Sequence, residues 1–334
     1  MDSLTQIVLG AAVGEAVLGK KVGNKALLWG AIAGTIPDLD VLTKFLVDDV
    51  TANELHRGFS HSIIFCLLFA PVFGWSVAKI YKRQEATWWD WTQFMFWGLF
   101  THPLLDAFTT WGTQLFWPFE YRIAFNSIFV VDPLYTLPFL GSVIALSFYK
   151  RNHPKRSQLN WLGISLSTTY LLSTLVIQFF ATKQFKNELE KQGISYNAIQ
   201  TRPTPFNTIL WTANVKTEDS FLIGYYSFFD TRETISFTEF PKNYQLLQAV
   251  NNEPIVQRLK QLTNQWYAVE RKDNTLYLND LRFGVLGIKQ KPPEFVFGYR
   301  FYKDDEILKA EEKERDMSEA SGLLTSLWDR IWGN

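Results

Sequence analysis

Cysteine is almost absent from this chain of 334 residues, since Cys66 is the only one. A single cysteine excludes a disulfide framework and a metal site built on paired cysteines. Neither charge is in excess, with 33 Lys and Arg against 33 Asp and Glu, and no basic tail or patch stands out. Nucleic acid is therefore not an expected partner. Histidine is also scarce, with four in the chain, so the positions of those few side chains are informative.

The mean hydropathy of −0.06 resembles that of a soluble protein, but it averages two unlike halves. Residues 1–182 are apolar and aromatic, whereas residues 183–334 hold most of the acidic side chains. A membrane-spanning helix needs roughly 20 mainly apolar residues. The first half contains six candidates, which predict an α-helical polytopic membrane domain; they are 3–19, 26–47, 61–80, 92–117, 127–149 and 160–182.

Positively charged residues concentrate in every second loop of this six-span arrangement, at 20–25, 79–83 and 150–156. These three loops hold ten Lys and Arg residues, whereas the alternate loops 48–60 and 118–126 hold two. Lys and Arg favour the cytoplasmic side of a membrane. We therefore predict that both termini and the whole second half of the chain are extracytoplasmic. If the first candidate does not span, only the N-terminus changes side.

Three short polar segments interrupt the apolar stretches of the first half. They are Pro-Asp-Leu-Asp at 37–40, His-Arg-Gly-Phe-Ser-His at 56–61 and His-Pro-Leu-Leu-Asp at 102–106. Ionisable side chains are costly inside a membrane and by default mark functional sites there. Asp and His are also ligands of Zn²⁺ and similar divalent ions. The pattern predicts a metal site in the membrane domain, with candidate ligands Asp38, Asp40, His56, His61, His102 and Asp106.

The six-span arrangement places all these groups at one depth, between the midplane and the outer surface. His102 and Asp106 are four residues apart, so on a helix they share a face and can bind one ion. Pro37, Pro103 and Pro133 each lie beside or near an acidic residue. Proline breaks helical backbone, and broken backbone at membrane depth is tolerated only where it lines a cavity or is buried in protein. We expect a polar cavity; interhelical hydrogen bonds and ion pairs are the alternative.

Two other charged positions each have their own interpretation. His56 and Arg57 could contact a phosphate or another substrate anion at the mouth of the site, because the planar fork of arginine matches an oxyanion. Glu15 lies near the inner surface, where we expect a structural ion pair with Lys20 or Lys21.

Four motifs occur in the first 180 residues: Met-Asp-Ser-Leu-Thr at 1–5, Gly-Thr-Ile-Pro-Asp-Leu-Asp at 34–40, His-Arg-Gly-Phe-Ser-His at 56–61 and Thr-His-Pro-Leu-Leu-Asp at 101–106. They closely resemble the motifs of a family of inner-membrane metal-dependent hydrolases whose enteric member is LexA-regulated. The resemblance implies a membrane-bound hydrolase with a divalent metal in the bacterial inner membrane. It does not identify a substrate.

The order Asp, His and His-x-x-x-Asp is also similar to that of zinc-dependent phospholipase C and the P1-type nucleases, all-helical phosphodiesterases with a clustered zinc site. That likeness implies that the ligands are Asp38 or Asp40, His56 or His61, His102 and Asp106. The chain departs from both groups. Many members of the membrane family have His where this chain has Gln6, and the further histidines of the soluble enzymes are missing. One or two ions, zinc or manganese, therefore fit better than a three-zinc cluster.

Residues 183–304 predict a smaller α+β domain with a mainly antiparallel sheet. Six runs rich in aromatic and β-branched residues alternate enough to be strands; they are 207–216, 221–229, 234–240, 265–271, 275–283 and 294–302. Helical spacing of apolar residues over 250–264 predicts one helix. Residues 305–334 predict an amphipathic helical tail that lies in a membrane interface or docks on the domain. We expect a lid or a partner-binding domain without an active site of its own.

The leading hypothesis is a metal-dependent hydrolase that acts on a phosphoester or lipid-linked substrate at the outer side of the inner membrane. The bound ion would activate water and polarise a phosphoryl oxygen. Asp38 or Asp40 would accept the proton, and Arg57 would hold the phosphate. Two alternatives remain open. One is a transporter for ions or small solutes, since intramembrane acids and broken helices also mark transport paths. The other is a membrane scaffold with a structural metal.

Overall fold

The computed structural model describes residues 1–81, 85–232, 234–287, 294–314 and 320–333. The chain divides into two compact units. The first unit comprises Met1–Thr43, Leu55–Val176 and Pro205–Asn207. The second unit comprises Lys44–Glu54, Ile177–Thr204 and Thr208–Asn334.

The chain is mostly helical as far as residue 191, as the sequence predicts. The helices are α1 (Ser3–Val22), α2 (Asn24–Thr35), α3 (Asp49–Leu55), α4 (Ile63–Ile80), α5 (Trp88–Asp106), α6 (Pro133–Ser147) and α7 (Pro154–Lys191). A 3₁₀ helix, Ile36–Phe45, continues directly from α2, and a second short one, Phe59–His61, precedes α4. A 3₁₀ stretch of ten residues is unusual, and such stretches often mark functional positions.

Three helical segments among the described residues are long and apolar enough to cross a membrane, namely Asn24–Phe45, Ile63–Ile80 and Pro154–Lys191. The sequence predicted six. α6 is apolar but has only 15 residues. The predicted span 92–117 is not a continuous helix, because α5 ends at Asp106 and an irregular segment follows. Gly112 in that segment has a φ of 69°, a left-handed conformation that does not continue an α-helix.

Side-chain caps determine where several helices of the first unit begin. Asp2 accepts a hydrogen bond of 3.1 Å from the N–H of Thr5 at the start of α1. Ser62 accepts one of 3.0 Å from the N–H of Phe65 at the start of α4. Asp132 accepts hydrogen bonds of 2.9 and 3.1 Å from two N–H groups of α6. These bonds satisfy donors that have no partner within the helix.

Glycines allow α1 and α2 to pack with their backbones in contact. A Cβ atom on Gly10 of α1 or on Gly30 of α2 would overlap the carbonyl group of the other. A Cβ atom on Gly34 would lie 2.5 Å from the carbonyl oxygen of Gln6. Small residues permit this close approach between membrane helices. The packing holds the backbone of Gly34 at a fixed position beside α1.

Two apolar clusters form the interior of the first unit. The larger is built mainly from α4 and α5 and contains Phe65, Cys66, Ala70, Val77, Trp91, Phe94, Met95 and Leu99. The other joins α1 to α6 and α7 and contains Val8, Ala12, Tyr135, Phe139 and Leu171. Burial of this apolar surface stabilises the arrangement of helices that carries the polar site.

The second unit contains two four-stranded antiparallel sheets. The strands are β1 (Ala198–Pro203), β2 (Leu210–Lys216), β3 (Ser220–Ser227), β4 (Phe237–Pro241), β5 (Tyr267–Lys272), β6 (Thr275–Asp280), β7 (Val285–Leu286), β8 (Glu294–Phe295), β9 (Gly298–Asp304) and β10 (Ile307–Glu312). One sheet has the order β1-β2-β3-β4, the other β10-β9-β6-β5, and β7 pairs with β8. The prediction of antiparallel sheet in this half is confirmed. Helix α8 (Pro254–Leu262) lies within the predicted run 250–264.

The sequence interpretation of the tail needs a correction. Residues 307–312 form β10, which pairs with β9, so the run after residue 305 is not helical. The helix begins later, as α9 (Ala320–Ile331). Ile331 is buried, and Arg330 forms an ion pair with Asp230 at 2.5 Å. The end of the tail therefore docks within the second unit.

The segment Lys44–Glu54, which includes most of α3, packs within the second unit. Arg258 of α8 donates hydrogen bonds of 2.9 and 2.6 Å to the two carboxylate oxygens of Glu54. Asn53 donates to the hydroxyl of Tyr299 at 3.2 Å, and Val50 is fully buried. This loop between two predicted spans is thus an ordered part of the second unit.

Candidate metal centre

The 3₁₀ helix directs Asp38 and Asp40 to different partners. With three residues per turn, side chains two positions apart point about 120° away from each other. Oδ1 of Asp38 lies 3.4 Å from Nε2 of His61 and 3.3 Å from Nε2 of His102. Asp40 instead faces the opposite edge of the His61 ring, with Oδ2 3.3 Å from Nδ1. Asp38 is therefore the acid that faces the Nε2 atoms of both histidines, and Asp40 is not.

His102 and Asp106 lie on one face of α5, one turn apart. Oδ2 of Asp106 lies 3.5 Å from Nε2 of His102 and 3.5 Å from Nε2 of His61. His61 enters from the end of the 3₁₀ turn that precedes α4, so its ring meets that of His102 with the two Nε2 atoms 3.1 Å apart. Three segments far apart in the chain thus contribute to one cluster, with Asp38, His61, His102 and Asp106 as its members.

Hydrogen bonds determine which nitrogen of each ring carries the proton. Nδ1 of His102 lies 2.6 Å from the carbonyl oxygen of Gly34, which can only accept, so Nδ1 is the donor. Nδ1 of His61 lies 2.9 Å from the hydroxyl of Ser60, which itself donates to Asp40, and 3.3 Å from the Asp40 carboxylate, so Nδ1 is the donor here as well. A neutral imidazole with a proton on Nδ1 presents a lone pair at Nε2. Such partners orient histidine ligands and raise their basicity in metal sites.

The cluster therefore contains four acceptors that face one another without a donor between them. Two Nε2 lone pairs and two carboxylate oxygens converge, at the five distances of 3.1 to 3.5 Å given above. A tetrahedral zinc site with bonds of about 2.0–2.1 Å has ligand atoms about 3.3 Å apart. The donor set and its spacing both fit a small divalent cation at the centre.

An unsatisfied buried atom supports the same conclusion. Oδ2 of Asp106 is buried and has no hydrogen-bond donor among the described residues, although Nε of Arg57 lies 3.0 Å away as an ion pair. Buried polar atoms are normally paired. The other oxygen, Oδ1, accepts a hydrogen bond of 3.0 Å from Nε2 of Gln6 and contacts the α-amino group of Met1. Oδ2 thus has the ion pair with Arg57 and no hydrogen bond, so a cation at the centre of the cluster would give it a second partner.

Arg57 occupies a different position from the one that the sequence suggested. It is buried, with a φ of 56°, and its guanidinium group donates to the hydroxyl of Thr109 at 2.8 Å and pairs with Asp106. It is therefore not a free phosphate contact at the mouth. Its place beside Asp106 makes it a positioning residue for that carboxylate.

His56 does not join the four-residue cluster. Its Nδ1 lies 2.9 Å from Oδ1 of Asp40, and its ring packs edge-on against Trp111 at 5.7 Å. Asp40 also accepts hydrogen bonds from the backbone N–H of Arg57 and the hydroxyl of Ser60. Asp40 and His56 thus form an outer layer that supports His61. Of the six predicted ligands, four converge and these two lie behind them.

The cluster is open on one side only. The side chains of His61, His102 and Asp106 have no exposed surface, whereas that of Asp38 is 22% exposed. Leu39 and Leu42, on the same 3₁₀ helix, are half-exposed. Access to the centre therefore passes Asp38 and a surrounding apolar surface.

Two polar residues near the predicted spans have structural roles. Glu15 accepts hydrogen bonds of 2.7 and 2.6 Å from the buried guanidinium group of Arg156. The prediction that Glu15 pairs with Lys20 or Lys21 was therefore wrong. The ion pair of Glu15 with Arg156 links α1 to α7. Asp132 caps α6 and accepts a hydrogen bond of 2.9 Å from the hydroxyl of Tyr170.

A family model described as YdjM inner membrane protein matches residues 1–184. The chain belongs to the YdjM inner membrane protein family. The matched region is more than half of the chain and contains the whole four-residue cluster. No curated protein and no solved structure matches the chain. Membership of an inner-membrane family agrees with the predicted location, and the family description names no reaction.

The groups that contact Asp106 and His102 are the part of the site that sequence reasoning did not find. Gln6 was noted only as a departure from the family pattern, yet it donates a hydrogen bond to this carboxylate. The carbonyl of Gly34 is a backbone group, which no side-chain motif reveals. The run Gly-Thr-Ile-Pro-Asp-Leu-Asp at 34–40 was the available signal, since its glycine stands four residues before Asp38.

Proposed function

We propose that this protein is a metal-dependent hydrolase of the bacterial inner membrane that cleaves a phosphoester, with a lipid or lipid-linked molecule as substrate. The observation that carries the proposal is the convergence of four acceptor atoms on one point, with a single open side at Asp38. Ionisable residues gathered in a membrane protein need a functional explanation. A bound divalent ion supplies one.

Each member of the cluster has its own role in this proposal. His61, His102 and Asp106 are buried and hold the ion, which would be zinc or manganese. Once bound, such an ion lowers the pKa of water toward about 7 and polarises a phosphoryl oxygen. Asp38 lies on the open side, where water enters, and accepts the proton of the attacking water. Arg57 keeps the Asp106 carboxylate in place.

Two observations support a lipid substrate. The family is located in the inner membrane. The open side of the cluster lies on a helix whose neighbouring side chains, Leu39 and Leu42, are half-exposed and apolar. A water-soluble ester would gain nothing from such an entrance, whereas an acyl chain would pack against it. The phosphoester class itself rests on the order of the Asp and His motifs, which is similar to that of zinc-dependent phospholipase C.

We also propose that the site opens to the outer side of the membrane and that the second unit is extracytoplasmic. The support is the bias of Lys and Arg toward loops 20–25, 79–83 and 150–156. The loop Lys44–Glu54, on the opposite side by this criterion, packs within the second unit, as an extracytoplasmic position of that unit requires.

A hydrolysis panel tests the proposal. The protein, purified in neutral detergent and loaded with zinc or manganese, is offered phosphodiesters, phosphomonoesters and phospholipids. We expect turnover of at least one class, its loss on chelation, and its recovery when metal is returned. Asp38→Asn should keep bound metal but lower turnover at least about 100-fold. His153→Ala, which alters an exposed histidine outside the cluster, is the matched control. Absence of turnover in every class with metal bound would contradict the proposal.

A structural metal is the second candidate, because four protein ligands in a tetrahedral set are typical of closed structural zinc sites. On this hypothesis the ion stabilises the first unit and no ester is cleaved. Thermal melting separates the two candidates when it is combined with the panel. A large fall in melting temperature on chelation without any turnover favours the structural role, whereas turnover that depends on Asp38 favours the hydrolase.

A further inference from the structure

A second polar site lies away from the metal centre in the first unit. A cavity of about 510 Å³ opens between the turn that joins α1 to α2 and the turn that joins α6 to α7. Gly23 and Asn24 line one side, and residues 149–152 together with Arg156 line the other. Its volume lies in the range of small-molecule sites, which is about 300–1,000 Å³.

The charge of this cavity is positive. Lys150 and Arg151 are exposed at its edge, and none of the described residues that line it is acidic. Arg151 forms a long, exposed ion pair of 4.0 Å with the carboxylate of Glu85. One N–H of Arg151 also donates to the carbonyl oxygen of Lys21, so an anion in the cavity would compete with the exposed Glu85 for the guanidinium group.

The wall of the cavity is rigid because Arg156 is fixed by several hydrogen bonds. This side chain is 1% exposed, and Glu15 binds its guanidinium group through both carboxylate oxygens. It also donates at 2.6 Å to Oδ1 of Asn24, another residue of the cavity. The pair with Glu15 balances the charge of Arg156, so the net positive charge comes from Lys150 and Arg151.

The cavity lies at the ends of candidate spans. The apolar segment Asn24–Phe45 begins at its rim, and so does Pro154–Lys191. The points where membrane helices begin lie at headgroup depth, where lipid phosphates are concentrated. Basic pockets between membrane helices on the cytoplasmic side bind acidic headgroups, and the charge bias of the loops assigns residues 150–156 to that side.

We propose that this cavity binds the phosphate group of an anion, with Arg151 and Lys150 as its charged contacts. The planar fork of Arg151 suits two phosphate oxygens, Lys150 adds a point charge, and the amide of Asn152 adds a polar contact. The phosphate belongs either to an acidic phospholipid of that leaflet or to a soluble phosphate. The site is separate from the proposed hydrolytic centre and does not depend on it.

Two binding measurements on the full chain in neutral detergent distinguish the sources. In one, native mass spectrometry counts retained phosphatidylglycerol and, for comparison, phosphatidylcholine with the same acyl chains. In the other, calorimetry follows titration with inorganic phosphate. Lys150→Gln combined with Arg151→Gln removes the two contacts. Lys20→Gln combined with Lys155→Gln is the control, because it removes the same charge from exposed residues that do not line the cavity.

We expect one of the two ligands to bind with an affinity that falls roughly tenfold or more in the cavity variant and less than about twofold in the control. Preferential retention of phosphatidylglycerol identifies a lipid headgroup, and saturable binding of inorganic phosphate alone identifies a soluble ligand. Equal losses in the two variants would show only diffuse electrostatic attraction and would overturn the proposal. So would binding of neither ligand to the unaltered protein. The melting temperature in the same detergent serves as the folding check and should be the same in all three proteins.

Discussion

Nε2 of His61 and Nε2 of His102 lie 3.1 Å apart, and each ring is held with its proton on the opposite nitrogen. Two facing lone pairs at this distance repel each other unless a cation lies between them. Oxygens of Asp38 and Asp106 complete the set of acceptors around the same point. The arrangement is suited to a cation, and its four groups come from three separate segments of the chain.

The outer carboxylate Asp40 should affect metal affinity without being a ligand. It holds Nδ1 of His61, so Asp40→Asn weakens the orientation of that ring and lowers its basicity. Second-layer changes of this kind cost about 10- to 100-fold in metal affinity. Chelator competition measures the affinity, with Thr43→Ala on the same 3₁₀ helix as the control, because that hydroxyl donates to the backbone carbonyl of Asp40 and not to its carboxylate. An affinity within twofold of the unaltered protein would rule out the supporting role of Asp40.

The contact between α1 and α2 should be sensitive to one added methyl group. Gly34→Ala places a Cβ atom 2.5 Å from the carbonyl oxygen of Gln6 and so displaces the carbonyl that holds His102. Overpacking of this kind costs about 1–3 kcal/mol, and metal affinity should fall with it. Gly141→Ala is the matched control, because its Cβ would meet nothing within 4 Å in α6. Thermal melting should show a lower midpoint for Gly34→Ala and no loss for Gly141→Ala; equal behaviour of the two would refute the packing argument.

The ion pair between Glu15 and Arg156 should matter far more than an exposed one. Glu15→Gln leaves the buried guanidinium group without its counter-charge, and such losses cost about 3–5 kcal/mol. Lys21→Gln breaks an exposed pair with Asp90, whose two contacts are 2.8 Å, and should cost less than about 1 kcal/mol. Melting midpoints of the two variants in the same detergent give the comparison. Similar shifts in melting midpoint would mean that burial does not increase the contribution of the Glu15–Arg156 ion pair to stability.

Membrane orientation can be read from two reporter fusions. A reporter active only outside the cytoplasm should give signal when fused after Asn334 and none when inserted in the loop 150–157. The expectation follows from the uneven distribution of Lys and Arg among the loops. The reverse pattern would place the second unit in the cytoplasm and would overturn the outward opening of the metal centre.

Much of the fold could be predicted from the spacing of apolar residues along the sequence. Alternating aromatic and β-branched residues predicted strands β2, β3, β5 and β6, because that pattern fits a half-buried pleated surface. β1 was missed because its sequence, Ala-Ile-Gln-Thr-Arg-Pro, has little apolar alternation. β10 was predicted to be helical because its charged residues also suit the surface of a helix. Its pairing with β9 shows that it is a strand. Hydropathy predicted more spans than the structure supports, since it cannot show that an apolar run such as 107–117 is not helical.

The site was predictable as far as local geometry governs it. The spacing of His102 and Asp106 on one helix face required no tertiary information. The different directions of Asp38 and Asp40 did require tertiary information, because they depend on a ten-residue 3₁₀ helix that the spacing of apolar residues does not predict. The buried position of Arg57 likewise depends on its left-handed backbone, a conformation rare for arginine. Residue types therefore indicated a metal site, while the division between ligands and supporting residues required the structure.

Metal analysis by mass spectrometry tests the central claim most directly. Protein purified in detergent, loaded with zinc or manganese and then desalted, should retain about one ion per chain. His102→Ala combined with Asp106→Ala should retain none, and His153→Ala should retain the full amount. Elution as a single species in gel filtration confirms that each variant is folded. Unaltered protein that retains no metal, or a folded double variant that retains as much as His153→Ala, would contradict the assignment of this cluster as a metal centre.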